Sequence, residues 1–270
     1  MLLKMVTIAI SNQKGGVGKT TLAFNLAQRI SRKRQTRVLA VDNDPQGNLT
    51  GSFIEKPEEP DGEILAAYDD KPLKPTQITN SLYLLSADIN LAPVAEREFS
   101  IIFKLKEALE SLQKKKGPEF DYIFIDCLSS FGHLHLAALN AADYVLIPVT
   151  PAPYALAGLN DLFIAIEKTR KYFNPNLKTL GIVINHVDGR NLVLQREMES
   201  ALREAHGDLV FRTKIKTRIK LEESPVFHKF ILQYDPKGPA AKDFKALANE
   251  MMRRLKKKNG KRKKHRQVQK

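Results

Sequence analysis

A glycine-rich segment near the start of the chain constrains the fold more than any other feature of the sequence. It follows an apolar run over residues 5–10, typical of a buried strand, and precedes a helical pattern over residues 21–30. Small residues let backbone N–H groups point at a polyphosphate, while a lysine reaches the outer phosphates and a hydroxyl ligates Mg²⁺. Strand, loop and helix therefore predict a phosphate-binding loop, with the sequence Lys14-Gly15-Gly16-Val17-Gly18-Lys19-Thr20-Thr21.

The residue types of this loop suggest separate roles. Its glycines can take backbone angles that a side chain disfavours. Lys19 is placed to reach the phosphates, and Thr20 is the expected metal ligand. The predicted nucleotide-binding residues of the loop are Gly15, Gly16, Val17, Gly18, Lys19, Thr20 and Thr21.

Two further apolar segments end in aspartates. Residues 36–41 lead to Asp42 and Asp44, and residues 120–125 lead to Asp126. Parallel α/β sheets place their chemistry at the carboxyl ends of strands, so these carboxylates are expected at the loop. We expect Asp44 to orient a water that attacks the terminal phosphate, and Asp42 and Asp126 to support Mg²⁺. The alternatives are a solvated turn after the first strand and an acid without function after the second.

Strand-like and helix-like patterns alternate over most of the chain, which predicts an α/β fold with a doubly wound, mostly parallel sheet flanked by helices. Residues 54–80 contain several prolines and acids, and they are expected to form a surface excursion around a short helix near residues 64–68. Further strands are predicted at residues 81–85, 144–149 and 179–185, and further helices at residues 99–112 and 241–255.

The composition fits one domain that works inside the cell. The 270 residues are 43% hydrophobic, and no apolar run is long enough to cross a membrane. The single cysteine, Cys127, excludes a disulfide framework and a multi-cysteine metal cluster, and it is expected to be a buried thiol. These observations predict a cytoplasmic protein.

The glycine-rich loop departs from the usual pattern, because Gln13 replaces the first glycine and Lys14 adds a second lysine. Lys14 is not needed for phosphates of its own subunit, so the nucleotide of a partner subunit is its expected target. The segment resembles the deviant Walker A loop of the ParA/MinD family of dimerising ATPases. Similarity to ParA/Soj-type partition ATPases covers nearly all of residues 5–255 and is also dense at residues 42–48, 120–126, 147–159 and 232–239.

The resemblance implies an ATPase that binds ATP and Mg²⁺, forms a homodimer with ATP, and drives chromosome or plasmid partition. Lys14, Lys19 and Asp44 would be the catalytic residues, and a ParB-like protein would stimulate slow hydrolysis. Asn185, at the end of a predicted strand, could bind an adenine edge or act as a cap. The family's proline pair after Asp126 is replaced here within Cys127-Leu128-Ser129-Ser130, which leaves the hydrolysis rate open.

Basic residues predict binding to double-stranded DNA without sequence preference. The net charge is +14, but residues 253–270 contain 11 Lys or Arg and no acid, which leaves 33 basic against 30 acidic residues elsewhere. We expect an ATPase domain over residues 1–255 and a disordered basic tail over residues 256–270, in a nucleoid-associated protein. The predicted DNA-binding residues are Arg190 and Lys220, by resemblance, with Arg218, Lys256, Lys257 and Lys258.

Two other functions are compatible with the sequence. One is a ParA-like ATPase that positions a protein cargo, which the sequence cannot separate from partition. The other is a MinD-like regulator on a membrane surface. Membrane insertion is not expected, because an amphipathic membrane helix needs bulky apolar residues and Val268 is the only bulky aliphatic residue beyond Leu255.

Overall fold

A seven-stranded sheet lies at the centre of the computed structural model, which describes residues 5–55, 63–114, 119–152, 155–187 and 192–268. The strands are buried apolar segments, apart from an exposed third strand. They are β1 (Val6–Ile10), β2 (Val38–Asn43), β3 (Thr76–Thr79), β4 (Leu82–Leu85), β5 (Tyr122–Cys127), β6 (Tyr144–Val149) and β7 (Lys178–Ile184).

The order of the strands is β3-β4-β2-β5-β1-β6-β7, and every neighbouring pair is parallel except β3 with β4. This confirms the predicted α/β fold with a doubly wound, mostly parallel sheet. In the register of the sheet Asp42 pairs with Asp126, and Ile10 also pairs with Asp126. The carboxyl ends of β1, β2 and β5 therefore meet where the sequence placed its acidic and glycine-rich segments.

Helices cover both faces of the sheet. They are α1 (Lys19–Ser31), α2 (Asn48–Phe53), α3 (Leu65–Tyr68), α4 (Ile101–Lys114), α5 (His133–Ala141), α6 (Ala155–Tyr172), α7 (Leu192–His206), α8 (Ile219–Glu223), α9 (Ile231–Tyr234) and α10 (Pro239–Val268). Successive strand residues point to opposite faces, so Ala9 packs in one core with α4, α5 and α6. Ile8 and Ile10 pack in the other core with α1 and α10.

Two segments extend the predicted arrangement at the edges of the sheet. The excursion over residues 54–80 contains α3 as expected, but it also contributes the antiparallel strand β3. At the opposite edge, residues 210–217 run along β7, since Phe211 N donates to Ile182 O at 2.8 Å and Ile215 N donates to Ile184 O at 3.0 Å. The outer edge of β7 is therefore covered by a basic segment.

The last helix differs from the sequence expectation. The backbone continues as helix α10 to Val268, whereas a disordered tail was expected from residue 256. Runs of lysine and arginine have good helix propensity, and α10 already has a nucleus because Phe244, Leu247, Met251 and Leu255 are buried against the sheet. The division of the chain at residue 255 stays a prediction. Within the described part of the chain, no helix has both the length and the apolar character to cross a membrane.

Candidate active site

The glycine-rich loop joins β1 to α1 at the carboxyl edge of the sheet. Gly16 and Gly18 have φ angles of 71° and 86°, in the left-handed region that glycine tolerates best. A Cβ atom at Gly18 would lie only 2.1 Å from Asn185 Nδ2. Both the backbone angle and the neighbouring side chain therefore require glycine at position 18, as the loop prediction implies.

Lys19 is buried within the loop and held by two acceptors. Its Nζ atom donates to Ser129 Oγ at 2.6 Å and to the Lys14 carbonyl oxygen at 3.3 Å. Burial lowers the pKa of Lys19, and the nearby carboxylate of Asp126 opposes that shift. An ammonium has three N–H donors, so these contacts leave one for a phosphate oxygen.

Thr20 and Asp126 meet beneath the loop. Thr20 Oγ1 donates to Asp126 Oδ2 at 2.7 Å, while Asp126 Oδ1 is buried and lacks a hydrogen-bond partner among the described residues. Burial raises the pKa of Asp126 well above its usual value, and the neighbouring Asp42 adds to the shift. A cation beside this carboxylate would favour its charged form. Hard oxygen donors of this kind fit Mg²⁺, so the residues suit the metal that the sequence predicts.

Asp42 is engaged by the chain that follows it. Its Oδ2 atom accepts from both the N–H and the hydroxyl of Thr50 at 2.8 Å, and its Oδ1 atom accepts from Asp44 N at 3.3 Å. Burial raises its pKa to about 6, although the Thr50 bonds oppose the shift. The contacts fix α2 and the turn that carries Asp44. Its expected place near Mg²⁺ stays a prediction.

Asp44 is half-buried at the open side of the site, as a residue that positions water would need to be. Its Oδ1 atom accepts from Gln46 N at 3.0 Å, and its carbonyl oxygen accepts from Gly47 N at 2.9 Å. These bonds make a tight turn, which Gly47 completes with a φ angle of 61°. The turn fixes the carboxylate while leaving it accessible, so its predicted role in orienting water remains open to test.

Asn185 ties the end of β7 to the loop. Its Nδ2 atom donates to the Val17 carbonyl oxygen at 2.7 Å, and the side chain is buried. This bond takes one of the two N–H hydrogens of the amide and leaves the other N–H and the Oδ1 atom for an adenine edge. The side chain of Asn185 thus holds the loop, and its contact with adenine stays a prediction. Thr21 lies half-buried in the first turn of α1, one residue after the predicted metal ligand.

Lys14 differs from Lys19 because its side chain is exposed. Its backbone is held on both sides, since Lys14 N donates to Asn12 Oδ1 at 3.0 Å and its carbonyl oxygen accepts from Lys19. Asn12 in turn donates to the Pro148 carbonyl oxygen at 2.7 Å, which links the loop to the end of β6. The backbone of Lys14 is therefore fixed, while its side chain is exposed to solvent.

Two groups at the site were missed by the sequence reasoning. Ser129 contacts Lys19, and its only signal in the sequence is the break in the expected proline pair. Ser11 Oγ and His135 Nε2 are 2.7 Å apart in the core beside the loop. These two residues are 124 positions apart in the sequence, so no local pattern could have paired them.

The predicted DNA-binding residues fall into two groups. Lys256 and Lys257 are exposed on α10, whereas Lys258 turns back to donate to the Thr179 carbonyl oxygen. Lys220 pairs with Asp235 at 3.3 Å. Half-buried Arg218 faces Asp243, whose charged form it favours. Arg190 lies outside the described residues. These contacts favour the two exposed lysines, and all six residues remain predictions for DNA binding.

The fold and this site define a P-loop nucleoside triphosphatase with a second lysine ahead of the glycines. A family model described as an AAA domain matches residues 5–179. The chromosome-partitioning ATPase Soj of Thermus thermophilus is 37% identical over 253 residues, covering 93% of this chain and 97% of that protein. The chromosome partitioning protein ParA of Myxococcus xanthus is 38% identical over 258 residues, covering 92% and 88%. The chain belongs to the ParA/Soj family of partition ATPases, as the sequence predicts.

One solved structure of similar fold belongs to a protein that is not named as a partition protein. Cobyrinic acid a,c-diamide synthase of Mycobacterium smegmatis, solved with an ATP analogue and magnesium, has a TM-score of 0.77 and 26% identity. The match covers 93% of this chain and 96% of that one. Because one fold serves more than one activity, the residues of the site and the family together guide the functional assignment.

Proposed function

We propose that this protein is an ATP-dependent dimerising switch that binds DNA without sequence preference and hydrolyses ATP to drive chromosome or plasmid partition. The observation that carries the proposal is the joint arrangement of a buried Lys19, the Thr20–Asp126 hydrogen bond and an exposed Lys14 at one loop. Two relatives of this chain, Soj and ParA, are named as chromosome-partitioning proteins.

The site residues divide the work of phosphoryl transfer. Backbone N–H groups of residues 15–20 cradle the phosphates, and Lys19 stabilises their negative charge. Thr20 and Asp126 would hold Mg²⁺, which, when bound, neutralises charge on the outer phosphates. Asp44 orients a water toward the terminal phosphate from its fixed turn. Reaction then depends on positioning more than on covalent chemistry, which suits a slow hydrolysis that a partner can accelerate.

Lys14 acts across the dimer. Its exposed ammonium stands on a backbone fixed by Asn12 and Lys19, so it can reach a nucleotide in the facing subunit without reorganising its own loop. Two subunits would then each complete the other's site, and the closed dimer would depend on bound nucleotide. ATP binding is thereby coupled to assembly.

Exposed cations along the outer edge of β7 form the proposed DNA surface. Arg212 and Lys216 lie on the segment that covers β7, and Lys256 and Lys257 lie on α10. Lys258 contacts Thr179 near the start of β7, whereas Lys216 is bridged to Val187 beyond its end. At ~3.3 Å per residue, Thr179 and Val187 are roughly 26 Å apart along the chain. This length holds about 15 phosphates of duplex DNA. A dimer would present two such edges.

The further parts of the proposal follow from membership of the family. A ParB-like protein stimulates hydrolysis and releases the dimer from DNA, and the ATP-bound protein associates with the nucleoid in the cytoplasm. The identity of the cargo, whether chromosome or plasmid, is carried by that partner and not by the ATPase site.

The first test measures DNA binding in different nucleotide states. A fluorescent duplex of arbitrary sequence is titrated with protein in the presence of Mg²⁺ and either no nucleotide, ADP or a non-hydrolysable ATP analogue. We expect tight binding only with the triphosphate analogue, because only the dimer joins two basic edges. Equal binding in all three conditions would reduce the DNA interaction to simple charge attraction and would contradict the switch.

The second test concerns Lys14. We expect Lys14→Ala to bind the ATP analogue normally but to remain monomeric, because only the contact across the dimer is removed. Lys19→Ala is the comparison variant and should lose nucleotide binding itself. Sedimentation velocity and a fluorescent-nucleotide titration separate the two outcomes. A Lys14→Ala protein that still dimerises with nucleotide would rule out the proposed contact.

A further inference from the structure

We infer that Ser129 is an additional phosphate-binding residue of this site, which positions Lys19 and donates its own hydroxyl hydrogen to an outer phosphate of the nucleotide. The inference rests on the proposed function and concerns the same site. Ser129 lies after β5, in the short segment that leads to α5. It lies outside the glycine-rich loop and is not among the residues predicted to bind nucleotide.

The hydrogen bond between Lys19 and Ser129 has a defined direction. An ammonium can only donate, so Ser129 Oγ accepts from Lys19 Nζ at 2.6 Å. A hydroxyl that accepts one bond keeps its own O–H, and Lys19 offers no acceptor for it. The Ser129 hydrogen is therefore available to a negatively charged group in the site.

The position of Ser129 directs that hydrogen to the loop. Its Oγ atom lies 4.0 Å from the place that a Cβ atom of Gly15 would take, so the hydroxyl faces the backbone that cradles phosphates. Ser129 itself is exposed, unlike the buried Lys19 beside it. A phosphate held by the loop would thus meet Lys19 and Ser129 together, one from inside the protein and one from its surface.

Packing on both sides fixes the Ser129 segment. Cys127 ends β5 within the core, and the ring of Phe131 packs 5.1 Å from the ring of His135. His135 is held in turn by Ser11, the residue that follows β1. The hydroxyl of Ser129 therefore sits in place before ligand contact, which reduces the entropic cost of binding.

The test compares nucleotide affinity in three variants by titration with a fluorescent, non-hydrolysable ATP analogue and Mg²⁺. We expect Ser129→Ala to raise Kd by about ten- to a hundredfold, the usual effect of losing a hydrogen bond to a charged group. Ser129→Thr keeps the hydroxyl and should stay within about twofold of wild type. Ser130→Ala removes the neighbouring exposed hydroxyl and should leave Kd unchanged.

Several outcomes would overturn the inference. They are a Kd for Ser129→Ala within about twofold of wild type, equal losses in Ser129→Ala and Ser130→Ala, or failure of Ser129→Thr to restore affinity. Urea unfolding without nucleotide provides a second measurement, because a loss of stability in Ser129→Ala that matches its loss of affinity would mean a structural role. If the wild-type protein itself failed to bind, the proposed function would fall and this inference with it.

Discussion

At the scale of single residues, His135 shows how the fold changes the chemistry of a side chain. Burial, with a further contribution from Lys19, lowers the pKa of His135 to about 4, so the folded protein keeps this imidazole neutral. The unfolded chain takes up the proton below pH ~6.5, so folded-state stability contributed by His135 is lost as pH falls from 6.5 to 4. We expect this loss to reach about 3 kcal/mol at most.

Urea unfolding of wild type and His135→Gln across that pH range isolates the contribution of His135, because all other groups titrate in both proteins. The free energy of unfolding should fall more steeply with acid in wild type than in the variant. Parallel pH profiles would show that His135 is protonated in the folded protein and would contradict its burial as a neutral ring.

At the scale of secondary structure, Arg254 fastens α10 to the edge of the sheet. Its guanidinium donates to the carbonyl oxygens of Asp208, Leu209 and Val210 at 2.8 to 3.2 Å, and it lies 4.0 Å from the ring centre of Phe211. Removing this group leaves several backbone acceptors without a partner. We expect Arg254→Met to lower the free energy of unfolding by about 2 to 3 kcal/mol.

Arg253→Met is the matched control, because Arg253 is the adjacent arginine of α10 and its side chain is exposed. Its effect on urea unfolding should stay within about 0.5 kcal/mol. Equal effects in the two variants would mean that charge in α10, and not the contacts of Arg254, determines stability. Loss of the fastening should also appear as faster hydrogen exchange in α10.

At the scale of the whole molecule, the residues that form the core and the residues that carry much of the excess positive charge lie in different parts of the chain. Among the residues of α10 whose side chains the structure describes, Leu255 is the last in the buried core, and residues 259–270 contain six Lys or Arg and no acid. A chain that ends at Lys258 should therefore unfold in urea like the full protein while its formal net charge drops from +14 to +8. Its binding to duplex DNA should become weaker and less dependent on salt.

The measurement is fluorescence anisotropy with the ATP analogue at several salt concentrations. The slope of log affinity against log salt should become less steep by up to about 5, since each lost phosphate contact contributes about 0.9. A slope that does not change would place the DNA contacts entirely on the folded domain, including the edge of β7.

The sequence by itself determined the loop, the alternation of strands and helices, and the family. A glycine-rich loop between a strand and a helix, with aspartates after two other strands, is a local pattern whose physical requirements involve few residues. The continuous apolar strands also required helices on both faces, which the fold confirms. The pattern alone predicted a disordered tail and did not predict that α10 continues to Val268, because α10 is nucleated by distant core contacts.

Only the tertiary structure decided which side chains meet. Lys19 contacts Ser129 across 110 positions, Asn185 contacts Val17 across 168, and Ser11 contacts His135 across 124. Such contacts depend on strand order and register, which place β5 and β6 on either side of β1 and bring β7 within reach of the loop. Local periodicity fixes which face of an element is buried, but the neighbours of that face are chosen by how the whole sheet assembles.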